Sequence, residues 1–424
     1  MSMHLRWVPR VARQTGFLLA IDSAAHLMDY GFHVYLGRAL PPADFVIVQS
    51  VNAILIVLMA TFGMLQPVVA RYIAEAEARA GREERPTGEG RAAFRQSFRF
   101  SLAIGLILSG AAWLARRPLA SWLHVPQAAV GVSALMPLLA LSRPAVAGAL
   151  QGYEHIFAFG LMRLLHALGR FAAAAALVSF GFGALGAVAA YPGAGLLSLL
   201  GGLALLGPRV WQASPRLTSA RLWQGVRLSL SAFIAYAAYM SLLSYDLLWV
   251  NRVFPTELAG SYAAAVLFRR VLTFLPGAAL VVMYPRIVAR VTTGRSPVRP
   301  LVITAVFSAL STMLLTAAYA VAGPFLVRLA FGLKYASAAP LLGWMGLAML
   351  GYNLAAVWMS LALATRPWPF VLLMAVMAGV QIVLMPGASA GLAQPVAVFG
   401  LTGWGLAVGG LALYWLWLRK RLAA

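Results

Sequence analysis

The chain has 424 residues, 62% of them hydrophobic and only 10% charged, with a formal net charge of +22 and no cysteine. A soluble domain averages about 45–50% apolar and 25% charged residues, so this much apolar surface has no aqueous fold in which to hide. The missing thiols exclude disulfide scaffolds and thiolate metal sites.

About 20 consecutive apolar residues cross a bilayer. Windows of that length predict twelve transmembrane helices, near 14–36, 45–70, 99–115, 128–150, 156–179, 184–207, 226–250, 259–284, 301–322, 337–363, 368–387 and 396–418. Their connections are too short for a soluble catalytic domain. No Walker-type loop, serine elbow or pair of carboxylates in an aqueous loop stands out. A transporter rather than an enzyme is therefore expected, with no cofactor and no metal site.

The first span is the anomalous one. Asp22, His26, Asp29 and His33 fall at i, i+4, i+7 and i+11, within roughly a 60° sector at about 100° per residue. An acid at the bilayer centre costs about 2.5–3.5 kcal/mol on insertion scales, which cancels the gain from several leucines. This stripe is expected to face protein or an aqueous cavity. The basic start followed by an apolar run is like a signal peptide, but the run is long, carries two Asp and lacks a clear cleavage site. It reads as an uncleaved span.

The longest connection, Arg71 to Arg99, mixes glutamates with arginines and reads as an extension of helix 2, a break at Pro86-Thr-Gly-Glu-Gly90, and an amphipathic entry to the next span. Helices 4 and 5 meet at the tight turn Leu150-Gln-Gly-Tyr-Glu-His155. The fifth span carries a second stripe, Arg163, His166 and Arg170, again within roughly 60°. Gly181-Phe-Gly183 joins spans five and six. The polar stretch after Gly207 divides the chain, so the expected organisation is a six-helix bundle over 1–207, a cytoplasmic linker over 208–225 and a second six-helix bundle over 226–424. Helix 7 carries Asp246, with Tyr239 on the same face, and helix 8 carries Arg269 and Arg270, candidate counter-charges for that acid or ligands for cargo. The halves echo each other in Arg38-x-x-Pro41 and Arg252-x-x-Pro255 and in Arg71 and Arg286, as expected of a transporter built from repeats.

Most of the 33 Lys and Arg fall in connections on the side of the termini, counting Arg143 among them, whereas Arg38, Arg116, Arg117, Arg252, Arg328 and Lys334 lie opposite. The positive-inside rule then places both termini in the cytoplasm. The charge is an orientation signal and a contact for membrane lipids, and it does not form the basic stripe of a nucleic-acid binder.

Several local phrases resemble one superfamily. They are Leu36-Gly-Arg-Ala-Leu-Pro-Pro42 with Asp44-Phe45; Gly148-Ala-Leu-Gln-Gly-Tyr-Glu-His-Ile-Phe157; Asp246-Leu-Leu-Trp-Val-Asn-Arg-Val-Phe254 with Ala259-Gly-Ser-Tyr262; and Met283-Tyr-Pro-Arg286. With twelve spans in two halves, the chain resembles the multidrug/oligosaccharidyl-lipid/polysaccharide exporter superfamily, and within it the polysaccharide-biosynthesis flippases. The resemblance implies an all-α integral membrane protein with two six-helix bundles around a central cavity. It also implies export of a polyprenyl-diphosphate-linked oligosaccharide across a bacterial inner membrane, coupled to H+ or Na+, alongside polysaccharide-synthesis machinery. The residues agree with an anionic cargo. Guanidinium groups bind phosphate oxygens in pairs, which makes Arg163, His166, Arg170, Arg269 and Arg270 the expected diphosphate ligands. Asp22, His26, Asp29, His33 and Asp246 are the expected coupling network. A multidrug or cation antiporter is the alternative, and a membrane glycan polymerase or ligase the third reading.

Overall fold

In a computed structural model the described residues are 3–63, 65–83, 88–212, 233–365 and 367–422, and side chains are described for most of these. They are almost entirely helical. In chain order the helices are α1 (Met3–Ala39), α2 (Pro42–Gly63), α3 (Leu65–Glu83), α4 (Glu89–Leu114), α5 (Arg116–Leu123), α6 (Gln127–Ser133), α7 (Met136–Gly152), α8 (Ile156–Ser179), α9 (Gly183–Leu206), α10 (233–242), α11 (Tyr245–Val253), α12 (Thr256–Val271), α13 (Phe274–Thr292), α14 (Val298–Phe331), α15 (Ala339–Ala364), α16 (Pro367–Leu384) and α17 (Ala393–Leu422). Of the linker expected over 208–225, residues 208–212 are described, Pro208–Trp211 as a 3-10 turn, and the rest lies outside the described residues.

Among the described residues eleven segments are long and apolar enough to cross a membrane. α1 is not one of them, since its charged stripe lowers its hydropathy, but at 37 residues it is long enough to span. The chain is a multi-pass membrane protein. Most expected spans begin and end within a few residues of a helix or helix pair, and Ile156–Ser179 coincides with the fifth. Arg143 corrects the reading of the connections: it lies inside α7, seven residues from its start, and not in a loop.

The chain forms two compact units, one of residues 1–40 and 58–229, the other of 41–57 and 230–424. α2 is thus divided. Its first turns pack in the second unit, where Phe45 meets Phe331 and Tyr335 at ring distances of 5.9 and 5.4 Å. α3 belongs to the first unit and lies tightly on α7. A Cβ at Gly148 would stand 2.5 Å from the Gln66 carbonyl oxygen, and one at Gly152 would stand 2.7 Å from that of Ala70. The pair is a small-xxx-small contact, in which missing side chains let two backbones touch where lipid offers no hydrophobic drive. In the second unit Gly351 and Gly403 bring α15 onto α17 in the same way.

Several spans are interrupted, and side chains take over the freed carbonyls. Between α10 and α11 the Leu243 oxygen accepts from Arg269 Nη2 at 2.7 Å and that of Leu242 from Gln381 Nε2 at 3.2 Å. Between α12 and α13 the Leu272 oxygen accepts from Asn353 Nδ2 at 3.0 Å. Broken backbone inside a membrane persists only where such partners exist.

Candidate functional site

In the first unit the two expected stripes meet. Asp29 on α1 accepts a hydrogen bond from Arg170 Nη2 on α8, and His33, one turn on from Asp29, places Nε2 3.9 Å from the same carboxylate oxygen. The Arg170 guanidinium lies 4.6 Å over the Phe32 ring and 5.4 Å from that of Tyr191 on α9. These faces attract the cation and fix its plane. His33 is buried, whereas the Asp29 side chain keeps 45% of its surface exposed.

Two more cations complete the cluster. Arg143 of α7 lies within coulombic reach of Arg163 and Arg170. Its Nε and Nη1 are buried without a hydrogen-bond partner among the described residues, as is Nε of Arg170. His166 is in reach of Arg143, Arg170 and Asp29, hydrogen-bonds the Ala194 backbone, and leaves Nδ1 without a partner. Arg163 lies 5.7 Å from the Phe159 ring. Arg143 therefore has two guanidinium groups, Arg163 and Arg170, within coulombic reach, and Arg170 is the one paired with Asp29. Of the remaining members of the first stripe, His26 is exposed, and the Asp22 side chain lies outside the described residues.

The second unit treats its acid differently. Asp246 on α11 is fully buried. Its Oδ2 accepts from Tyr262 at 2.6 Å and from Arg269 Nη1, and its Oδ1 accepts from Arg269 Nη2 at 3.2 Å. Arg269 lies 4.0 Å over Phe399, which stacks on Tyr352. Tyr352 receives a bond from Tyr239 at its carbonyl and shares one between its hydroxyl and Thr402. Every charge here is met by its complement, and Arg269 also holds the broken helix through Leu243. Arg270, about 100° further round α12, is half-buried.

No protein-family model and no curated protein matches the sequence. The fold does have relatives among solved structures. An inward-facing multidrug resistance MATE family transporter of the MOP superfamily superposes with a TM-score of 0.74 at 12% identity, covering 94% of each chain. The chain has the MATE fold. A eukaryotic MATE transporter gives a TM-score of 0.65 at 13% identity, over 99% of this chain and 98% of that one. An outward-facing multidrug resistance MATE transporter gives 0.59 at 15% identity, over 98% and 95%. These neighbours are membrane transporters. Two of them are described as members of the MOP superfamily, the one that the local phrases resemble, and none of these three is described as a polysaccharide flippase.

Proposed function

We propose that the chain is a secondary transporter that moves its cargo by alternating access, coupled to a gradient of H+ or Na+. One observation carries this reading: Asp29 and Arg170, an acid and a base on separate spans, are paired in a fold whose solved examples are transporters. Intramembrane ionisable groups typically mark transport pathways and proton relays. Asp29, half-open to its surroundings, is the coupling carboxylate. Taking up a proton neutralises it and releases Arg170, and losing the proton restores the pair. One charge moving through 100 mV supplies only ~2.3 kcal/mol, so the ion biases the populations of two states. The location is a bacterial cytoplasmic membrane, as the superfamily resemblance implies, and the distribution of arginines supports both termini inside.

For the cargo, multidrug or organic-cation antiport has the broader support, because the neighbours include transporters described as multidrug resistance proteins. The charge of the first unit supports a second reading. Arg143, Arg163 and Arg170 outnumber Asp29, and buried guanidinium N–H groups without partners are suited to phosphate oxygens. On that ground the cargo is a polyprenyl-diphosphate-linked oligosaccharide, supplied by polysaccharide-synthesis machinery, with Arg143 joining Arg163, His166 and Arg170 as its ligands. Arg269 serves Asp246 in this reading and not the cargo.

Proteoliposomes holding the full chain separate these readings. Under an imposed H+ or Na+ gradient, uptake of ethidium as a lipophilic cation supports drug antiport. Translocation of a fluorescent polyprenyl-diphosphate sugar, lost in Arg143→Ala and Arg170→Ala, supports the glycan reading. Gradient-independent movement of a probe would sink the ion coupling, and movement of neither probe would sink the transporter assignment itself.

A further inference from the structure

One charge in the first unit is not accounted for by the coupling pair. Arg143 lies well inside the bilayer, sixteen residues from one end of the span Gln127–Gly152 and nine from the other. α9 packs against α7 on both sides of it. A Cβ at Gly195 would stand 2.9 Å from Leu139, and one at Gly202 would stand 2.8 Å from Val146 and 2.7 Å from Met162 of α8. Arg143 is thus held where α7, α8 and α9 meet. Level with it on α9 is Ser198, whose hydroxyl donates to the Met162 carbonyl at 2.9 Å.

The acids of the packed helices are placed elsewhere. α8 and α9 contain none. Gly148 lies on Gln66 and Val69 of α3, and Gly152 on Ala70 and Ile73, so α3 and α7 run in parallel. Arg143, five residues before Gly148, is then about 18 Å from the level of Glu75, the first acid of α3, at ~1.5 Å per residue. The acid of α4, Glu89, occupies its first turn, whereas α7 meets that helix at Gly105 and Ser109. Asp29 is taken by Arg170.

Among the described residues Nε and Nη1 of Arg143 are buried with no hydrogen-bond partner, as is Nε of Arg170, itself 9% exposed. The two arginines lie within coulombic reach of each other. A guanidinium stays charged in a protein, and buried charges persist where they are paired. Arg170 is matched by Asp29, and Arg163 is not without contacts of its own. That leaves one charge to answer, on Arg143.

We propose that the protein binds one small monovalent inorganic anion, of the halide class, at Arg143 with Arg170 beside it. The single residual charge sets the valence of the ion, and the close packing of α9 sets its size. His166 is not a ligand, because its unpartnered Nδ1 donates only from the charged ring. The site uses arginines that the glycan reading gives to cargo, but the ion occupies the protein before cargo arrives, so it stands on neither cargo reading.

Chloride binding to the purified full-length protein tests this, at fixed ionic strength with gluconate as the replacement anion. Radioactive chloride should bind saturably at one site per chain, and bromide should compete. The thermal unfolding midpoint should rise with chloride and level off, as for any ligand of the folded state. Arg143→Met should abolish the binding and flatten that rise. In gluconate alone its midpoint should equal or exceed that of wild type, because no charge is left stranded. Arg143→Lys keeps the charge and should keep the binding, at lower affinity. Absence of saturable chloride binding in wild type, or binding undiminished in Arg143→Met, overturns the site. Inorganic phosphate binding tenfold tighter than chloride overturns the monovalent ion and leaves Arg143 to a phosphoryl group. Chloride binding seen in Asp22→Asn and not in wild type overturns it too, and assigns Arg143 to that carboxylate. No cargo enters these measurements, so failure of either transport reading leaves them standing.

Discussion

Two intramembrane aspartates share a residue type and differ in everything that decides their chemistry. Asp246 is closed in by Tyr262 and both arms of Arg269, whereas Asp29 shares one oxygen with Arg170 and keeps much of its surface open. Breaking a buried pair by removing one partner costs about 3–5 kcal/mol, because the other charge is stranded. Asp246→Asn should therefore lower the thermal stability of the purified protein, and a partial recovery in Asp246→Asn with Arg269→Gln would mark the loss as a stranded charge. Asp29→Asn should cost less stability than Asp246→Asn, since Asp29 itself is half exposed although Arg170 is buried, and it should abolish the dependence of transport on the ion gradient in proteoliposomes; an intact dependence removes Asp29 as the coupling group. The meeting of Asp29 with Arg170 was legible because charges at helical spacing in an apolar span need a partner, and two such stripes of opposite sign exist. Arg143 was not read this way. Flanked by Ser142 and Pro144, it looks like the polar edge of a span, yet the helix runs through it for seven residues before and nine after.

At the scale of elements, the spans follow from apolar length, but the way they touch follows from glycine. Gly148 and Gly152 lie four apart in a sequence whose polar turn draws attention instead, and their role is to let α3 rest on α7. Overpacking a close contact costs typically 1–3 kcal/mol. Gly148→Leu meets backbone at 2.5 Å and should exceed that range, seen as aggregation in size-exclusion chromatography, whereas leucine at Gly110, which has open space around it, should run as wild type. The interruptions at 243–244 and 272–273 were not legible. Neither site holds glycine or proline, and the breaks are sustained by donors remote in sequence, from Arg269, Gln381 and Asn353. The short helix α5 escaped for the opposite reason, since eight residues lack the length by which a span is recognised, whereas α6 and α7 together make the span expected over 128–150.

At the scale of the molecule, hydropathy and the asymmetry of arginine carry the architecture and an orientation that can be tested directly. Because the chain has no cysteine, single substitutions report topology without background. Ser121→Cys, in α5, is expected to react with a membrane-impermeant maleimide added to intact cells, and Thr87→Cys, in the arginine-rich connection, only after lysis. The reverse pattern would invert the assigned orientation.

The division of α2 between the two units has a practical outcome for anyone who cuts the gene. A fragment ending in the polar stretch after Trp211 carries residues 41–57 away from the neighbours they pack with, and the remaining fragment loses Phe45 from beside Phe331 and Tyr335. Neither piece is then self-sufficient. Expressed alone, each should be degraded, and expressed together from separate plasmids they should restore one another by split-gene complementation.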